Sequence, residues 1–130
     1  MFSVDQTSYG VKIMFSGAMN KEEMSVWLEE SKRITSKLPS KFGVFVDMRN
    51  LKPLEAEAQK VLEEGQKHYK IKGMERSVVI VNNPIVKMQF TRLAKQSGIY
   101  EWERYIDASQ HGDWEKRGEA WLTSSIDPDH

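Results

Sequence analysis

The run Ser77-Val78-Val79-Ile80-Val81 constrains this chain more than any other stretch. Consecutive β-branched apolar residues favour an extended backbone and leave neither face suited to water. Such a strand needs cover on both sides, as in a parallel sheet flanked by helices. The residues directly after the run have the makings of such a helix. Asn83 is placed to cap it, Pro84 suits its first position, and Val86, Phe90, Leu93, Ala94 and Ser97 recur on one stripe that closes at Gly98.

The same strand-then-helix unit occurs upstream. Gly43 to Ala58 reads as an apolar strand from about Phe42 to Asp47, a polar loop from Met48 to Lys52, and a helix from Pro53. Glu55 and Glu57 fall in its first turn, where the helix dipole favours negative charge. Leu54, Ala58, Val61, Leu62, Gly65 and Tyr69 form the apolar stripe, and Gly73 is the stop. Earlier still, Val11 to Ser16 alternates with a period of two. Asn20 and Glu23 then form a capping-box pair before a stripe of Met24, Trp27, Leu28, Ser31, Ile34 and Leu38 that Pro39 ends. Phe2 to Asp5, with a turn over Gln6 to Gly10, predicts an N-terminal antiparallel hairpin. Glu101 to Ile106 is a fifth strand. A last helix lies between Ser109 and Thr123 with Trp114, Gly118, Trp121 and Leu122 facing inward, and a polar tail from Ser124 to His130 is expected to fray.

The order β-β-α-β-α-β-α-β-α, joined by right-handed crossovers, sets the second to fifth strands parallel. The expected fold class is α/β: one domain over residues 1–123, built on a single mixed, mostly parallel five-stranded sheet with a hairpin edge and about four helices. Residues 124–130 form the tail.

Composition narrows function by exclusion. Lys plus Arg number 19 and so do Asp plus Glu, so the chain lacks the basic excess that non-specific nucleic-acid binding needs. There is no cysteine, hence no disulfide and no thiolate metal site. No apolar run approaches the roughly 20 residues that span a bilayer, and MFSVDQTSYG does not read as a secretory leader. A cytoplasmic protein is expected. The three histidines, His68, His111 and His130, have no ligand partners at metal-binding spacing, so no metal and no cofactor is expected. No phosphate-cradling glycine loop and no Gly-x-Ser-x-Gly elbow occurs, so no enzymatic activity is expected. Asp47, at a strand's carboxyl end, would need a second group to act as an acid or base. Trp102, Tyr105, Trp114 and Trp121, interleaved with Arg104 and Lys116, read as core or dimer contacts and not as a base-stacking platform.

Three stretches carry a resemblance: FSGAMNKEEM (Phe15 to Met24), VFVDMRNL (Val44 to Leu51) and the closing EAWL (Glu119 to Leu122). With the element order, they resemble the STAS fold (sulphate transporter and anti-sigma factor antagonist), especially its SpoIIAA-like branch of small bacterial proteins. The resemblance implies a protein-interaction module. In anti-sigma antagonists the third strand leads through Asp-Leu-Ser-Gly to an Asp-Ser-Ser-Gly box, whose Ser is phosphorylated to switch binding. Here Asp47-Met48-Arg49-Asn50 matches only the opening Asp, and Glu55-Ala56-Glu57-Ala58 stands where the box would be, without a hydroxyl. Glu57 falls about where the phosphoacceptor would sit, as a permanent carboxylate with less charge than a phosphate.

Two functions are carried forward. The first is a non-catalytic module that docks a protein partner through Asp47, Arg49, Asn50, Lys52, Glu55 and Glu57. The second is a carrier of a small apolar molecule or lipid, suggested by Met14, Met19, Met24, Met48, Met74 and Met88 and requiring a pocket of several hundred Å3. Asn82 and Asn83 form a candidate anion site at a helix start. A homodimer is expected from base rates alone.

Overall fold

The computed structural model describes residues 1–129; His130 lies outside the described residues. Five strands and four helices alternate as the sequence predicts. They are β1 (Phe2–Gln6), β2 (Gly10–Gly17), α1 (Lys21–Thr35), β3 (Phe42–Leu51), α2 (Ala56–Lys72), β4 (Met74–Val81), α3 (Pro84–Ser97), β5 (Glu103–Asp107) and α4 (Trp114–Ser124). The strands lie in the sheet in chain order. β1 runs antiparallel to β2, and every other pairing is parallel.

That order decides where the helices go. Crossovers of one hand, each stepping to the next strand in the same direction, put their helices on one face. Accordingly α1 packs on α2 and α2 on α3, whereas α4, which comes after the last strand, packs against β3, β4 and β5 on the reverse face. The alternation along β3 and β4 serves both layers. Val44, Val46, Met48, Val79 and Val81 point to α1–α3. Phe45, Val78 and Ile80 join Ile106, Trp121 and Leu122 beneath α4. The run from Val78 to Val81 is thus covered on both sides, and each of its residues is at most 2% exposed.

Aromatic contacts hold the larger layer together. Trp27 meets Phe15 edge-on at 5.2 Å between ring centroids and stacks near Tyr69 at 6.1 Å. Gly65 of α2 sits directly against the six-membered ring of Trp27, where a Cβ would overlap it. The other layer uses the same device. A Cβ on Gly118 of α4 would fall 2.6 Å from the Phe45 ring.

Several boundaries differ from the sequence reading, each for a tertiary reason. The expected loop from Met48 is strand as far as Leu51, because β2 extends alongside it and pairs Ser16 with Asn50 and Gly17 with Leu51. α2 begins at Ala56 instead of Pro53, and Leu54 is held in the connector by Gln89 of α3, which donates to its carbonyl and accepts from its amide. α1 ends at Thr35, ahead of Pro39. β4 starts three residues before Ser77, and a single turn of tight helix from Tyr100 to Trp102 precedes β5. The described part of the tail is held to the domain at three residues. Ser125 adopts a left-handed cap, the Ile126 amide donates to the Ala120 carbonyl, and Asp127 accepts from Arg104 of β5 at 3.0 Å.

Candidate functional site

The carboxyl end of β3 overhangs the sheet. β4 stops at Val81, while β3 continues through Arg49 and Asn50 paired only with β2. Here the register advances by two residues on β2, from Met14 to Ser16, and by three on β3, from Asp47 to Asn50. This bulge lets Met48 and Leu51 both bury against the helices while Asp47 and Arg49 project to the α4 side.

There the two side chains lock together. Arg49 donates from Nε to Asp47 Oδ1 and from a terminal nitrogen to Asp47 Oδ2, both at 3.0 Å, and its own amide donates to Oδ1 at 3.2 Å. The guanidinium also lies 4.1 Å from the centre of the Trp114 ring, in the first turn of α4. Trp114 leans in turn on Phe45. Donating to the Asp47 carboxylate raises the Arg49 pKa above its already high ordinary value. An arginine held from two sides has little rotamer freedom left, yet its side chain remains 37% exposed. Lys12 of β2 continues the charged surface. It lies over the Phe45 ring and pairs with Glu115 at 3.4 Å.

The other expected docking residues do not join this pair. Asn50, Lys52, Glu55 and Glu57 are all exposed, and Glu57 pairs with Lys60 at 3.1 Å on its own helix. Glu55 is the N-cap of α2 but makes no capping bond through its side chain. At the neighbouring strand end, Asn83 Oδ1 accepts from the amides of Ile85 and Val86, which are the donors an anion would use. Asn82 is exposed. Among the described residues no three His, Cys, Asp or Glu side chains cluster as a metal site would need. His68 is partly buried, with Nε2 2.8 Å from Thr35 Oγ1; burial and the nearby Lys72 and Lys32 lower its pKa.

The space between the sheet and α1–α3 is nearly filled. Met19, Met24, Met48 and Met74 are packed in the core. The remaining cavity, bounded by Trp27, Gln66, Ser77, Phe90 and Glu103 among others, measures about 30 Å3. That is room for one or two water molecules, far below the several hundred Å3 of a lipid or cofactor pocket.

One polar group beside that cavity escapes sequence reasoning. Glu103 is 5% exposed and faces Ser77 directly across the β4–β5 pair. Ser77 Oγ donates to Oε1 at 3.0 Å and the Tyr105 hydroxyl to Oε2 at 2.6 Å. No cation compensates the carboxylate among the described residues, and burial pushes its pKa up to about 7. In the sequence it is one glutamate in a charged stretch, Glu101 to Arg104, and only the strand register reveals its burial. Two of the late tryptophans, Trp114 and Trp121, sit on the opposite face of the sheet, whereas Trp102 packs against both layers. Trp114 carries Arg49, and Trp121 lies under Arg104 at 4.4 Å and Arg76 at 5.7 Å, so both are structural platforms for arginines on the α4 side.

No protein-family model matches this chain, and no curated protein matches it. No helix among the described residues is long and apolar enough to cross a membrane.

Proposed function

We propose that this chain is a non-catalytic STAS-like interaction module that docks a protein partner at the overhanging end of β3. The observation that carries the reading is the Arg49 guanidinium clamped by the Asp47 carboxylate and the Trp114 ring, with its side chain still 37% exposed. Preorganised arginines beside aromatic rings are the side chains that concentrate binding energy at protein interfaces. Glu115, and Lys12 paired with it, add polar groups beside it suited to a rim. Asp47 spends both carboxylate oxygens on Arg49, which fits a recognition element better than an acid or base awaiting a substrate proton. The position agrees with the resemblance, which puts the partner surface at the same strand end. With Glu57 in place of a phosphorylatable serine, docking is constitutive.

The test is capture from the native host with tagged wild-type protein and an Arg49→Ala variant. A polypeptide retained near stoichiometrically by wild type and lost by a variant of unchanged circular dichroism supports the reading. Equal retention by the folded variant refutes it.

A further inference from the structure

α3 is charged unlike its neighbours. From Pro84 to Ser97 it carries Lys87, Arg92 and Lys95 and no acidic residue. On α1 and α2 four of the seven cations are neutralised locally, Lys32 by Glu29, Arg33 by Glu30, Lys60 by Glu57 and Lys67 by Glu63, and both helices carry acidic residues that α3 lacks. Among the described residues no carboxylate reaches ion-pairing distance of the three α3 cations. Arg92 donates to Gln59 of α2 instead, and Lys95 lies 4.8 Å from the centre of the Tyr100 ring.

Apolar surface accompanies the charge. Met88 is 64% exposed and Ile85 52%, although Val86, Phe90, Leu93 and Ala94 already satisfy the core. Met88 and Pro84 lie in a shallow, open furrow along the outer face of α3 alone, flanked by Lys87, Arg92 and Lys95. A flexible thioether in such a furrow adapts to varied apolar side chains.

We propose that the outer face of α3 docks an acidic segment of a partner protein, with one apolar side chain seated on Met88 and Pro84 and carboxylates over Lys87, Arg92 and Lys95. Charge complementarity selects this occupant. Three cations along about 12 Å of helix match a short peptide, whereas nucleic acid draws its affinity from many phosphate contacts that a chain of zero net charge does not offer. A lipid surface would have to be held by Ile85 and Met88 alone, since the main apolar stripe of α3 faces inward. The site lies on the helix-covered face of the sheet that is opposite Arg49, so it stands or falls separately from the docking surface proposed above.

The experiment is selection of displayed random peptides of about 12 residues, long enough to run the furrow, on the full-length protein. The selected peptides are then labelled with fluorescein and titrated by anisotropy. Expected are peptides enriched in Asp and Glu around an apolar residue, and affinity reduced at least about tenfold by K87E/K95E. K87Q/K95Q and Met88→Ala give smaller losses, the charge reversal K60E/K67E on α2 gives none, and high salt weakens binding. The proposal is overturned by peptides no more acidic than the starting library, or by equal affinity for K87E/K95E and K87Q/K95Q of native circular dichroism. It is equally overturned if a single-stranded oligonucleotide or phosphatidylserine vesicles displace the peptides and bind more tightly.

Discussion

Replacing Glu103 by Gln isolates the electrostatics of the buried β4–β5 pair. In the fold the carboxyl titrates at about 7 against an ordinary value of 4.5, and desolvation is the main cause. The folded state therefore holds its proton to higher pH than the unfolded chain does. Stability from this group is intact below about 4.5, falls as pH rises through about 7, and then levels off. At about 1.4 kcal/mol per pKa unit the full loss is roughly 3 kcal/mol, of which roughly 2.5 kcal/mol falls between pH 5 and pH 8. Gln keeps the shape. Its carbonyl accepts from one of the two hydroxyls and its amide donates to the other, at a cost of about 1 kcal/mol that does not vary with pH. His68, whose lowered pKa acts in the opposite direction as pH falls, is common to both proteins and cancels in the comparison. Urea unfolding at pH 5, 6, 7 and 8 measures the difference. The Gln variant should gain on wild type by roughly 2.5 kcal/mol between the extremes. Parallel pH profiles, or a gap that widens toward pH 5, would refute the burial argument.

Gly65→Ala drives a methyl group into the Trp27 ring, and should cost about 1–3 kcal/mol in urea unfolding with a shift in tryptophan emission. Trp121→Phe keeps most of the ring but loses the indole hydrogen bond to the Ser77 carbonyl at 3.0 Å; a loss of about 1 kcal/mol is expected. Asp47→Asn loosens the Arg49 fork on a partly exposed pair, so stability should fall by only about 0.5–1 kcal/mol, while partner capture falls in step with Arg49→Ala.

The candidate site was half legible in the sequence. Asp47 and Arg49 stand out as charges at the end of an apolar run, and their i, i+2 spacing on a strand allows them to meet. Trp114 lies 65 residues further along, and nothing in the local pattern joins it to Arg49. Met48 to Leu51 reads as a loop because charge and amide interrupt the apolar pattern, yet neighbouring β2 supplies hydrogen-bond partners that make it strand. The methionines read as a potential pocket because type and number say nothing of packing, and four of them fill the core instead.

The sequence by itself determined the kinds and order of the elements. A period of two or 3.6, with Asn20, Asn83, Gly73 and Gly98 as punctuation, acts on the chain locally and needs no distant partner. The order in turn restricted the topology, since crossovers have one hand. Only the tertiary structure decided which face each helix covers, how far β3 runs, and that Glu103 is buried without a cation while Arg49 is held between Asp47 and Trp114. Those outcomes depend on contacts between residues far apart in the chain, whose energies exist only once the layers have closed.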